Sequence, residues 1–135
     1  MNLTIFLKLY AIAVVVFFII DLTWLGVVAR SFYQAQMGHL MRANVNWAAA
    51  IVFYAIFVVG IIVLAVWPAV ERQSLGHAVV LGALLGLVTY AAYDLTNLAT
   101  LDGFPFGVVL VDMVWGTVLC GSVSAVTYLA SERLL

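Results

Sequence analysis

The sequence predicts an all-α integral membrane protein with four transmembrane helices. Three observations carry that reading. Hydrophobic residues fill 67% of the 135 positions and charged ones only 8%, where a soluble domain charges about a quarter of its residues. The mean hydropathy is +1.24. Four separate runs, roughly 3–27, 47–67, 77–98 and 106–130, each approach or exceed the about 20 apolar residues that a helix needs to cross a bilayer. The runs are continuous instead of alternating, which argues against a transmembrane β-barrel. The whole chain, 1–135, reads as one membrane domain with the lipid bilayer as its solvent.

The first run contains Lys8 and a greasy stretch ending in "VVA" at Ala29, which is the pattern of a cleavable leader. Asp21 and Trp24 would then fall between the apolar core and the cut, so the run is read as a true span. The connection "RSFYQAQMGHLMRAN" that follows mixes Phe32, Tyr33, Leu40 and Met41 with polar residues. It fits an amphipathic helix at the membrane interface over 30–43, with a plain ordered loop as the alternative. Trp47 and Trp67 bracket the second run as interfacial anchors, and Pro68 is expected to end it. The polar turn "ERQS" (71–74) leads into the third run, and Gly103 and Pro105 precede the fourth.

Several function classes fall away. A net charge of -1 leaves no basic cluster for phosphates, so no nucleic-acid partner is expected. The lone Cys120 permits no intrachain disulfide. Two histidines, His39 and His77, do not make the ligand patterns of a membrane metal-oxidase. No GxSxG elbow or phosphate loop is present. No cofactor is expected.

The polar residues inside the spans are more informative. Asp21 lies about six residues beyond the middle of its run, Asp94 about six beyond the middle of its own, and Asp112 about six before the middle of the last. The last helix runs the other way, so all three fall on one side, roughly 9 Å from the midplane at about 1.5 Å per residue. Carboxylates at that depth are costly and must face inward. Arg30, Arg42 and His39 lie in the connection on the same side and are the candidate charge partners. Tyr90, Asp94 and Asn97 share one helical face, with Tyr93 and Thr96 on an adjoining stripe. Trp24 follows Asp21 by three residues, as Trp115 follows Asp112. The expected site is therefore a polar pocket of Asp21, Asp94, Asp112, Asn97, Tyr90, Tyr93 and Thr96, edged by Trp24 and Trp115. A metal held by Asp21, Asp94 and Asp112 stays open on sequence alone.

"DLTWL" (21–25) and "DLTNL" (94–98) agree at four of five positions. Duplicated helical hairpins would explain this, as would chance in a leucine-rich chain. Gly82, Gly86, Gly116 and Gly121 let helices approach closely. Intrachain packing is the simpler use, and a homo-oligomer seam stays open. Lys8, Arg72, Arg133 and the amino terminus share one side against Arg30 and Arg42, which places the termini in the cytoplasm by the positive-inside rule.

"YAAYDLTNLATL" (90–101), "FP" (104–105) and "VDMVWGT" (111–117), with "DLTWL" and "FY" (32–33), resemble the signature of a family of small bacterial membrane proteins, domain of unknown function 2177. The resemblance covers nearly the whole chain. It implies a compact, multi-pass protein of the bacterial inner membrane and supplies no activity. Three functions follow from the residues. One is a site that binds a proton, a cation or a small polar ligand. A second is an enzyme acting on a lipid or other apolar substrate, with Asp94 and Asp112 as acid and base and His39 as a third member. The third is a scaffold or accessory subunit whose aspartates pair with arginines to fix helix register.

Overall fold

A run of apolar residues in lipid must satisfy its own backbone, and the α-helix does so within one segment. The computed structural model describes all residues 1–135 and contains helices and turns only. Helix α1 spans Leu3–Thr23 and widens into a π-helical turn at Trp24–Val28. Helix α2, Arg30–Met37, follows, with a 3-10 turn at Gly38–Leu40. Helix α3, Trp47–Ile61, passes through a π-helical stretch at Ile62–Val66 into α4, Trp67–Glu71. Helix α5 covers Leu75–Thr100 and α6 covers Phe106–Ser131. Four rods, Leu3–Val28, Trp47–Glu71, Leu75–Thr100 and Phe106–Ser131, are long and apolar enough to cross a membrane. Their outer surfaces confirm the solvent: Ile56 is 67% exposed and Val114 66%, which lipid tolerates and water does not.

The second rod is longer than the sequence suggests. Pro68 does not end it; the helix runs on to Glu71. Proline lacks an N–H and crowds the preceding turn of an α-helix. The π-helical stretch immediately before it loosens that turn, so the rod continues. Side chains cap three rods: Asn2 accepts from the Ile5 N–H at 2.9 Å, Asn46 from Ala49 at 3.1 Å and Ser74 from His77 at 3.3 Å. The connection holds a helix at Arg30–Met37, with Ala29 buried and Phe32, Tyr33 and Met37 half-buried along its inner side.

Each of three rods buries a straight stripe at four-residue spacing. In α1 the stripe is Leu9, Ala13, Phe17 and Asp21. In α5 it is Ala78, Gly82 and Gly86, then half-buried Tyr90, then Asp94. In α6 it is Gly116, Cys120, Ser124 and Tyr128, with half-buried Asp112 one turn before Gly116. Each aspartate is therefore the end of a core-facing stripe. The main core joins Leu9, Ala13 and Phe17 to Phe57, Val58, Ile61, Ile62 and Val66 and to Leu119, Cys120 and Val123. Helices α5 and α6 pack along their lengths, whereas α1 packs more on α6 than on α3. The two "DLT" motifs thus meet different surroundings.

The α5–α6 seam is set by glycine. A Cβ on Gly86 would overlap the Gly116 carbonyl, and one on Gly82 would overlap Ser124 and the Cys120 carbonyl. A Cβ on Gly116 would strike the Tyr90 ring. Gly121 differs, since its nearest neighbour would lie at 3.5 Å, an ordinary contact. In lipid such close approach replaces the missing hydrophobic drive. Gly86→Val is therefore expected to lower stability by about 3 kcal/mol or more, since backbone must move. Gly60, with nothing within 4 Å of an added Cβ, should gain up to about 1 kcal/mol as Gly60→Ala through helix propensity. Thermal unfolding of the detergent-purified variants checks both, and equal effects at the two positions would refute the close-packed seam.

Candidate functional site

The three stripes bring the aspartates to one end of the bundle, beneath α2. Asp21 is 3% exposed and Asp94 0%, while Asp112 is half-buried. Their surroundings are unlike. Asp21 accepts the indole N–H of Trp115 at 3.2 Å and the Tyr54 hydroxyl at 3.4 Å, which ties α1 to α6 and α3. Asp112 accepts the Tyr33 hydroxyl, which ties α6 to α2. The Tyr33 oxygen in turn accepts the Trp24 indole N–H at 3.2 Å. Trp24 stacks on Trp115 with ring centres 4.4 Å apart and planes 10° from parallel. The chain of contacts Asp21, Trp115, Trp24, Tyr33, Asp112 thus closes over the end of the bundle.

Asp94 stands outside that closure. With both carboxyls ionised, neither oxygen of Asp94 has a hydrogen-bond donor in the protein. Beside it is the Asp112 carboxyl, close enough for a hydrogen bond if one of the two holds a proton. Tyr33 and Tyr93 face the pair from α2 and from α5 itself. Burial, and next the bond to Asp112, hold the Tyr33 phenol above the usual tyrosine range. No His, Cys, Asp or Glu side chains gather in a group of three that could hold a metal ion. The three aspartates are neighbours through a network, not co-ligands of one point.

A cleft of about 370 Å³ reaches Asp112 of this pair, lined by Phe53 of α3, Thr89, Tyr90 and Tyr93 of α5, and Asp112 itself. It exists because α5 meets the second rod at the Ile62–Val66 stretch and hardly at all along α3. The two rods diverge towards the aspartates. Tyr93 and Phe53 are 53% and 52% exposed at its mouth.

Of the other residues expected at the site, Asn97 is half-buried beside Tyr93. Thr96 is exposed and returns its hydroxyl to the Ala92 carbonyl of its own helix. Arg30, Arg42 and His39 are exposed, and the bonds to Asp21 and Asp112 come from tyrosine and tryptophan instead. His39 lies near Gly103 in the α5–α6 turn. Sequence reasoning passed over Tyr33, Tyr54 and Phe53. Tyr54 carried a usable signal, being the one hydroxyl inside "WAAAIVFYAIFVV".

Asp21→Asn can keep both bonds, accepting from Trp115 through its oxygen and donating to the Tyr54 oxygen. It should cost under about 1 kcal/mol, whereas Asp21→Leu strands two donors and should cost about 2–4 kcal/mol. Tyr33 gives a pH test. The folded chain holds its phenolic proton more tightly than the unfolded chain, which titrates near 10.0. That contribution is intact below this pH and is lost progressively as pH rises above it, towards the higher pH at which the folded chain gives up the proton. Tyr33→Phe should lose less stability than wild type over about pH 9–11; parallel losses would contradict the assignment.

The profile of the family described as predicted membrane protein (DUF2177) matches residues 6–129. No curated protein and no solved structure matches the chain. With four membrane-crossing helices and a profile match over most of its length, the chain belongs to the DUF2177 family of predicted membrane proteins.

Proposed function

We propose that the protein holds a proton, a cation or a small cationic ligand between Asp94 and Asp112, and that this site is its functional centre. One observation carries the reading: Asp94 is fully buried and neither carboxyl oxygen has a donor. A buried carboxylate without a donor costs several kcal/mol, and Asp112 beside it adds repulsion. A proton or a bound cation relieves both. Intramembrane acids mark ion or ligand paths by default. Tyr90, Tyr93 and Asn97 border the pair and orient what it holds.

The scaffold reading keeps a narrower place. The contacts of Asp21 with Tyr54 and Trp115 are those of a clamp between helices, and a clamp needs no ligand. We assign Asp21 this structural part and reserve binding for the other two. We place the chain in the bacterial inner membrane with cytoplasmic termini, on the distribution of Lys8, Arg72 and Arg133 against Arg30 and Arg42. The site then lies in the outer half of the membrane.

The test is thermal stability of the detergent-purified protein from about pH 5 to 9, with and without added cations. The charged and titratable groups facing the pair are Tyr33, Tyr90, Tyr93 and Asp21, of which the tyrosines stay neutral over this range. Wild type should gain stability from low pH or from one cation, Asp94→Asn should lose that response, and Asp21→Asn should retain it. If wild type responds to neither, or if Asp94→Asn responds as wild type does, the binding site does not exist.

A further inference from the structure

The lateral cleft says which ligand the pair is built for. We propose that it admits an amphiphilic primary ammonium, a single –NH₃⁺ head on an apolar body, from the bilayer to Asp94 and Asp112. This rests on the binding site just proposed and names its ligand class and its route.

Four features converge. The acid cluster has an independent sign of a missing partner: the 0%-exposed Asp94, with two unsatisfied oxygens, lies beside Asp112, the carboxyl that lines the cleft. Two orphan acceptors call for donors as well as charge. A primary ammonium brings three N–H groups; a quaternary ammonium brings none and would leave Asp94 unsatisfied. A hard metal cation needs six or more oxygens, and no three ligating side chains gather here. A proton alone gives no reason for a space of about 370 Å³.

The walls fit the same ligand. Tyr90, Tyr93 and Phe53 offer aromatic faces, which attract a cation and pack against alkyl chain. The opening lies between two membrane-spanning rods, α3 and α5, so it faces lipid. From the outer end the site is covered by the stacked indoles of Trp24 and Trp115 and by Tyr33 on Asp112. A water-soluble amine would have to part that cover, whereas an amphiphile already in the bilayer meets the open side. An ethanolamine phospholipid carries the same head, but its phosphate would follow the ammonium into a site that holds carboxylates and no arginine. The free amphiphilic amine is therefore the better fit.

The experiment titrates dodecylamine into the full-length protein in phosphatidylcholine nanodiscs at neutral pH and reads tryptophan fluorescence and thermal stability. Dodecyltrimethylammonium, propylamine and ethanolamine phospholipid are run in parallel. Dodecylamine should bind at least about tenfold more tightly than the other three, and Asp94→Asn should weaken it about tenfold or more, as loss of a charged hydrogen-bond partner does. Thr89→Trp, which fills the cleft and leaves the carboxyls in place, should abolish dodecylamine binding and keep the response to low pH. Tyr93→Ala, a milder change at the mouth, should weaken binding several-fold and serves if Thr89→Trp does not fold. Equal binding of propylamine would overturn the lateral route. Equal binding of the quaternary amine would overturn the N–H requirement, and preference for ethanolamine phospholipid would overturn the free amine. If no amine binds while Asp94→Asn still removes the pH response, this inference fails and the site itself stands.

Discussion

Lipid offers a carboxyl group no hydrogen bond and no screening, so every aspartate in the spans must be answered from within the chain or by something the chain binds. Asp21 and Asp112 are answered. Trp115 and Tyr54 serve the first, Tyr33 the second. Asp94 is buried as deeply as any residue in the protein and has no such partner. The rest of the architecture can be read as what makes that possible. Three rods carry an aspartate at the end of a four-residue stripe, and packing those stripes together forces the carboxyls inward, where they would not go alone.

The glycines decide how near they come. Gly82 and Gly86 bring the backbone of α5 against Cys120 and Gly116 of α6, and Gly116 in turn receives the Tyr90 ring. Tyr90 and Asp94 are one turn apart, so the contact that seats the ring also sets Asp94 beside Asp112. A looser seam would separate the two acids and let water between them. At the same end, the divergence of α3 from α5 leaves the cleft. Tightness on one side and looseness on the other are thus parts of one arrangement, and both follow from where the small and the bulky residues lie.

Much of this was legible in the sequence. Composition and run length give the four helices, since no other structure buries so much apolar backbone in lipid. The shared side of Asp21, Asp94 and Asp112 follows from helix direction alone, and the small-residue stripe from its four-residue spacing. What failed was partner choice. Arg30 and Arg42 were natural partners by charge, yet they lie exposed, because α2 turns its Tyr33 face to the bundle. One-dimensional spacing does not say which face of a short interfacial helix turns inward. Pro68 misled for a related reason: a π-helical stretch absorbs a proline that a regular helix could not, and its sequence, "IVLAV", has no distinguishing mark. The separation of the clamped Asp21 from the unpartnered Asp94 depends on Tyr54 and Trp115, whose contacts with Asp21 span 33 and 94 residues.

The claim at the centre is that Asp94 lacks a partner in the protein and takes one from outside. Infrared difference spectroscopy on the ligand-free protein at neutral pH, comparing wild type with Asp94→Asn, tests it most directly. The account predicts a carbonyl band of a protonated carboxylic acid in wild type that is absent from the variant and is replaced by carboxylate bands when a cation binds. A wild-type spectrum with ionised carboxylates only, unchanged by any cation and matched by the variant apart from the lost residue, would mean that the bundle itself satisfies Asp94 and that the proposed site is structural.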